Sequence, residues 1–204
     1  ISADGAGNIY AATIVALEPE SRNRGVLVVL NDTIHSAKWA HKSNTFSLQT
    51  FVSVNAGVQG LVVEGRAKYL SCAVSRKIYP LPVKAFPKVA VVQSYLDNDG
   101  QIIALVGKSE FDGVVIDGFG AGHVSFGMMD EIKKLKIPVV VSSRTGSGMC
   151  ATKTYGYKGS EIDLQSSGCV MSGWLSAIKA RLLLMVLIAD EIPPQEIKNE
   201  FENF

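Results

Sequence analysis

Lys88-Val89-Ala90-Val91-Val92, Gly113-Val114-Val115-Ile116 and Pro138-Val139-Val140-Val141 are three short β-branched runs, and two segments of helical spacing, 100–108 and 126–135, lie between them. Runs of this kind read as strands buried on both faces, and their alternation with helices implies a parallel sheet joined by crossovers, a βαβαβ unit. Two further helical segments, 174–188 and 194–201, follow. In such a unit ligands are expected at the loops leaving the C-terminal ends of the strands.

Upstream, Pro80, Pro82 and Pro87 favour extended backbone and remove hydrogen-bond donors, so residues 78–87 read as a linker. Before it, apolar and small residues from Asn8 recur at helical spacing and Pro19 closes the segment. Gly25-Val26-Leu27-Val28-Val29-Leu30 then reads as another strand of a parallel sheet, ending at Asn31-Asp32-Thr33. Residues 33–56 are polar and irregular, with Trp39 and two phenylalanines, and read as a site loop. Glu64-Gly65 between two apolar-containing runs predicts a hairpin. The whole is an α/β chain in two parts: 1–77, the end of an α/β domain, and 88–204, a smaller doubly wound parallel-sheet domain.

Composition narrows the function. With 204 residues, 47% hydrophobic and 19% charged, the chain is globular, and its formal net charge of +1 gives no broad attraction to nucleic acid or an acidic membrane. The longest apolar run, 182–189, is too short to span a bilayer. Cys72, Cys150 and Cys169 are widely spaced, form no zinc pattern, and read as small buried hydrophobes. The opening residues carry no signal-peptide pattern; the compartment stays open, with cytoplasm the first expectation over periplasm.

The strand-end rule selects three loops, 31–42, 117–123 and 142–148. Gly118-Phe119-Gly120-Ala121-Gly122-His123 partly matches a dinucleotide fingerprint, but the third glycine is replaced by His123, and a tight turn is the alternative. Ser142-Ser143-Arg144-Thr145 could hold a carboxylate or cap the next segment. Lys42 and Glu161, taken alone, read as solvated charges; His123 is the better lone candidate, since histidine is a residue type suited to proton transfer and this one follows a glycine turn, with an ordinary loop histidine the alternative. No GxSxG elbow and no HExxH helix is present.

Several stretches nevertheless occur together and in order: Ser2-Ala3-Asp4-Gly5 with Asn8 and Tyr10, Arg24-Gly25-Val26-Leu27-Val28-Val29, Asn31-Asp32-Thr33, and Lys42-Ser43-Asn44-Thr45. They are followed by Phe86-Pro87-Lys88-Val89, Phe111-Asp112-Gly113-Val114-Val115, Val139-Val140-Val141-Ser142-Ser143-Arg144 and Lys179-Ala180-Arg181. Over essentially its whole length the chain resembles the C-terminal part of bacterial L-asparaginases. The resemblance implies hydrolysis of the side-chain amide of L-asparagine, often also L-glutamine, through a threonine acyl-enzyme, with L-aspartate as product and no metal or organic cofactor. It implies a homotetramer built from close dimers, with sites between subunits, and neither nucleic acid nor membrane as partner.

The family's two threonine motifs, TGGT-like and HGTD-like, do not occur in this sequence, so the threonine-bearing segment is expected to precede it and the chain by itself to be inactive. Lys42 matches the lysine of the family's proton-handling set. Glu161 matches its acidic residue that recognises the substrate amino group from a neighbouring subunit. His123 stands where the family usually has an asparagine, also contributed across the interface. Two other readings stay open: a nucleophile-free amino-acid-binding module, and the asparaginase-like subunit of a tRNA-dependent amidotransferase.

Overall fold

A computed structural model describes residues 3–74, 76–80 and 85–204. Ser2 of the first landmark and Pro82 of the linker lie outside them. The chain forms two compact units, Ile1–Arg76 and Lys77–Phe204. No helix among the described residues is long and apolar enough to cross a membrane.

In the first unit, helix α1 (Gly5–Leu17) buries Ala11 and Val15, one turn apart on one face, against Val29, Ile34 and Ala67. Asn8 bonds Asp4 Oδ2 at 2.8 Å, and its own Oδ1 accepts the backbone N–H of Asn31 at 2.9 Å, fixing the helix to a turn. That turn joins β1 (Leu27–Leu30) to β2 (Thr33–Ser36). Its central residues Asn31 and Asp32 have φ of 46° and 55°, the left-handed pair that a two-residue hairpin demands and that asparagine and aspartate tolerate.

The expectation of a parallel sheet for residues 25–30 is therefore corrected: β1 pairs antiparallel with β2 because a two-residue turn cannot carry a parallel crossover. With β5 (Gly60–Val63) and β6 (Arg66–Tyr69) they make an antiparallel sheet in the order β1-β2-β5-β6. The Glu64-Gly65 hairpin is present, with φ of 51° and 72°. Residues 33–56 are also more regular than expected, since they contain β2, β3 (His41–Lys42) and β4 (Phe51–Val52). Strands of two residues carry too little periodicity to be seen in sequence.

His35 on β2 is buried, its Nδ1 2.9 Å from the Ser53 hydroxyl and its Nε2 without a partner among the described residues. Burial pushes its pKa below the ordinary 6.5, so the fold favours the neutral ring. This contribution is complete above pH 6.5 and is lost as pH falls through 6.5 towards the lowered value. Thermal melts followed by Trp39 in a Trp174→Phe background should show a lower Tm at pH 5 than at pH 7.5. His35→Gln, which cannot titrate, should abolish most of that difference; an unchanged difference would assign it elsewhere.

The second unit is the βαβαβ fold, extended by one strand. Strands β7 (Val89–Gln93), β8 (Gly113–Gly118), β9 (Val139–Ser143) and β10 (Val170–Met171) are all parallel, in the order β10-β9-β8-β7. Period-two alternation divides the core. Val114, Ile116, Val139 and Val141 face α2 (Gln101–Gly107), α3 (Phe126–Ile132) and α4 (Glu161–Ser166) through Ile103, Met128, Met129 and Leu164. Val115 and Val140 face α5 (Ala177–Ala189) and α6 (Pro194–Asn203) through Leu183, Leu184, Ile197 and Phe201. Each fully buried aliphatic side chain contributes about 1.5–3 kcal/mol of transfer free energy.

Gly127 on α3 marks where backbones meet. A Cβ there would lie 2.6 Å from Asp99 O and 2.8 Å from Asp99 Cα, and neither atom can move aside without shifting the turn before α2. Gly127→Ala is expected to cost about 2–3 kcal/mol, from overpacking against main chain. Urea unfolding monitored by Trp174 would measure it, and a cost under about 0.5 kcal/mol, the range of an ordinary surface change, would show that the contact relaxes freely.

Among the cysteines, Cys150 and Cys169 are buried as expected, but Cys72 is exposed. It follows β6 in an irregular segment, where no second layer covers it.

Candidate functional site

Lys42 ends β3, paired antiparallel to β4 with Lys42 opposite Phe51. The loop after it is knotted by hydrogen bonds. Ser43 N–H and Oγ–H both donate to Thr50 O, at 2.8 and 3.0 Å. Asn44 Oδ1 accepts from the amides of Phe46 and Ser47 at 2.8 and 2.9 Å, an Asx turn, while the Thr50 hydroxyl donates to Asn44 O. This local order holds the Lys42 backbone while its side chain stays exposed within its unit.

The loop 31–42 begins as the β1-β2 hairpin and so does not leave the end of a parallel strand. The other two strand-end loops do, and Arg144 joins them: its Nη1 donates to Ser94 O at 2.9 Å and its guanidinium lies 4.7 Å from the Phe119 ring centroid. The arginine thus ties the ends of β7, β8 and β9 together. Burial pushes the Asp117 carboxyl above its ordinary range, partly offset by the Arg144 charge and by the Gln93 amide at 3.4 Å.

The glycine loop is a tight turn. Phe119 N–H donates to His123 O at 2.8 Å and His123 N–H returns to Phe119 O at 3.1 Å. A Cβ on Gly118 would meet His123 O and Ser142 O at 2.9 Å, so that glycine serves a close backbone crossing.

That turn aims His123 at Glu161, 38 positions on, with Nε2 to Oε2 at 2.8 Å. Glu161, the first residue of α4, is 0% exposed, and its Oε1 accepts the N–H groups of Thr154 and Tyr155, each at 2.6 Å. Burial alone would raise its pKa, but these amides and the His123 ring outweigh that and hold the carboxyl below its ordinary range. On the other side of the imidazole, the Tyr157 hydroxyl lies 2.6 Å from Nδ1. The rings of Tyr155 and Tyr157 stand edge-on to His123 at 5.0 and 5.3 Å.

The fold therefore joins His123 and Glu161 directly, while Lys42 belongs to the other unit. Sequence reasoning did not single out Tyr155 and Tyr157. The available signal was Tyr155-Gly156-Tyr157 just ahead of a helix whose first residue is acidic.

Comparison with known proteins gives the same division of the chain. Residues 1–74 match the family model "Asparaginase, N-terminal" and residues 88–201 the model "Glutaminase/Asparaginase C-terminal domain". L-asparaginase 2 of Escherichia coli K12 is 33% identical over 213 residues, covering 100% of this chain and 59% of that protein. The probable periplasmic L-asparaginase of Haemophilus influenzae is 31% identical over 211 residues, with the same two shares of 100% and 59%. The glutaminase-asparaginase of Acinetobacter glutaminasificans is 26% identical over 215 residues, covering 100% and 63%. The chain thus spans about three fifths of the length of these relatives. Both family models match in consecutive order along the parallel-sheet unit and the unit before it, and the chain belongs to the glutaminase/asparaginase family of amidohydrolases.

Proposed function

We propose that the chain forms part of an enzyme that hydrolyses the side-chain amide of L-asparagine, and more broadly L-glutamine, to the acid and ammonia. The observation that carries this is the match of both family models, together with relatives whose names are L-asparaginase and glutaminase-asparaginase. In this reading residues 1–77 complete a larger N-terminal domain, 78–87 link it to 88–204, and four chains assemble as a dimer of close dimers. No metal or organic cofactor takes part.

The chemistry needs a nucleophile, a proton acceptor and donors for the developing oxyanion. A threonine hydroxyl, supplied by sequence ahead of residues 1–204, attacks the amide carbon and ammonia leaves. Water then cleaves the ester to release L-aspartate and restore the hydroxyl. Lys42 handles the threonine proton. His123 and Glu161 serve recognition of the substrate's amino-acid end through the loop that they anchor.

The acyl-enzyme can be tested by partition. The chain, extended by the threonine-bearing segment and supplied with L-asparagine and hydroxylamine, should yield β-aspartyl hydroxamate at the expense of L-aspartate. Aspartate as sole product at every hydroxylamine concentration would mean that water attacks directly, against the ester intermediate.

A further inference from the structure

His35 lies on the face of the β1-β2-β5-β6 sheet that helix α1 does not cover. Its neighbour Ile34 packs with Ala11 and Val15 of that helix, and successive strand residues point to opposite faces, so His35 points away from α1. A ring on an uncovered sheet face would be wet, yet His35 is 1% exposed. Against it lies Ser53, also buried, with its Oγ 2.9 Å from Nδ1. Whichever of the two donates, the bond joins β2 to the residue that follows β4.

That junction bears on Lys42. Strands β3 and β4 pair only His41 with Val52 and Lys42 with Phe51, and they form a sheet of their own, separate from the four-stranded one. A two-stranded ribbon this short is at best marginally stable in water and takes its place from what it is tied to. On the β3 side Ala40 N–H donates to Ser36 O at 2.8 Å, just past β2. On the β4 side Ser53 stands two residues beyond Phe51, the partner of Lys42, and its carbonyl accepts Gly57 N–H at 2.8 Å in the turn that leads towards β5. Ser53 therefore joins three strands, and its bond to His35 is buried, whereas the Asn31–Gln49 amide bond nearer the ribbon tip is exposed to water.

We propose that His35 is a positioning residue for Lys42: through Ser53 it pins the base of β4 to the sheet and so sets where the ribbon holds the lysine. The role rests on the function proposed above, in which Lys42 takes the threonine proton. His35 itself touches neither substrate nor nucleophile and acts through the ribbon alone. A reacting group misplaced by about 1 Å loses on the order of 10²-fold in rate, so a tie two residues from the partner of Lys42 is close enough to govern it.

Kinetics and amide exchange test it in the chain extended by the proposed threonine-bearing segment. His35→Leu and Ser53→Ala should each lower kcat for L-asparagine by about 10–100-fold while KM changes by less than about threefold, as when a group acting on chemistry and not on binding is displaced. The double variant should be no slower than the slower single one, since both remove the same bond. His35→Asn, whose side-chain amide can take the place of Nδ1, should recover most of the lost rate. In a Lys42→Met background neither substitution should lower the residual rate further, whereas a mere loss of folded protein would lower it. Exchange reads the tie without activity: Ser53→Ala should speed exchange of Ser43 N–H, which donates to Thr50 O, by about tenfold, the worth of one hydrogen bond. Val62 N–H, bonded to Asp32 O in the four-stranded sheet, should exchange as before. An unchanged kcat in Ser53→Ala, or a further fall in the Lys42→Met background, would overturn the positioning role, and unchanged exchange at Ser43 would overturn the tie. A wild type that releases no ammonia would defeat the proposed reaction and the positioning role with it, and faster Ser43 exchange in Ser53→Ala would then show that the tie itself stands.

Discussion

Lys42→Met is expected to lower kcat for L-asparagine by about 10²–10⁴-fold in the chain extended by the proposed threonine-bearing segment, the range for removing a positioned base. The prediction isolates chemistry from folding. Lys42 is exposed within its unit, and its structural part is the backbone pairing with Phe51, which methionine keeps. An exposed substitution of this kind changes stability by no more than about 0.5 kcal/mol. Lys42→Arg makes the control, because a guanidinium of pKa above about 12 cannot give up its proton and should be nearly as inactive despite its charge. Steady-state ammonia release with parallel thermal melts decides it. Near wild-type kcat in Lys42→Met would remove Lys42 from the reaction, whereas a lost Tm would mark it as structural.

Glu161→Ala should have the largest effect on stability, costing the second unit about 3–5 kcal/mol, because three buried donors lose their acceptor at about 1–3 kcal/mol each. The substitution leaves the amides of Thr154 and Tyr155 and the Nε2–H of His123 facing a cavity, and the loop they belong to loses its anchor. Glu161→Gln keeps the volume and one acceptor, and should cost less. Because the native carboxyl titrates below its ordinary 4.5, its contribution is complete above pH 4.5 and is lost as pH falls through the lowered value. Urea unfolding of Lys77–Phe204, followed by Trp174, reads both the cost and its disappearance in acid. A cost near zero at pH 7 would mean that water takes over the carboxylate's bonds.

The parallel sheet was legible because Val114, Val115 and Ile116 alternate between two cores, so their strand is apolar throughout, and helical spacing fills the gaps between such strands. The same rule misread residues 25–30: a β-branched run signals burial, and only Asn31-Asp32, as a left-handed pair, reveals that the next strand turns back. Helix α4, six residues from Glu161 to Ser166, and β10, two residues, are too short to show a period. The site followed the same logic. Lys42 and Glu161 gained a role only through family landmarks, whereas His123 also stood out by itself after a glycine turn at a strand end; its partner Glu161 did not, because the two meet across 38 positions. Tyr157 escaped notice because its contact with His123 spans 34 positions.

The most direct test of the amidohydrolase assignment is ammonia release from L-asparagine and L-glutamine by the chain extended by the proposed threonine-bearing segment. Hydrolysis of L-asparagine, lost in Lys42→Met at unchanged Tm, is the expected result. A folded, extended chain that releases no ammonia from either amide would contradict the assignment.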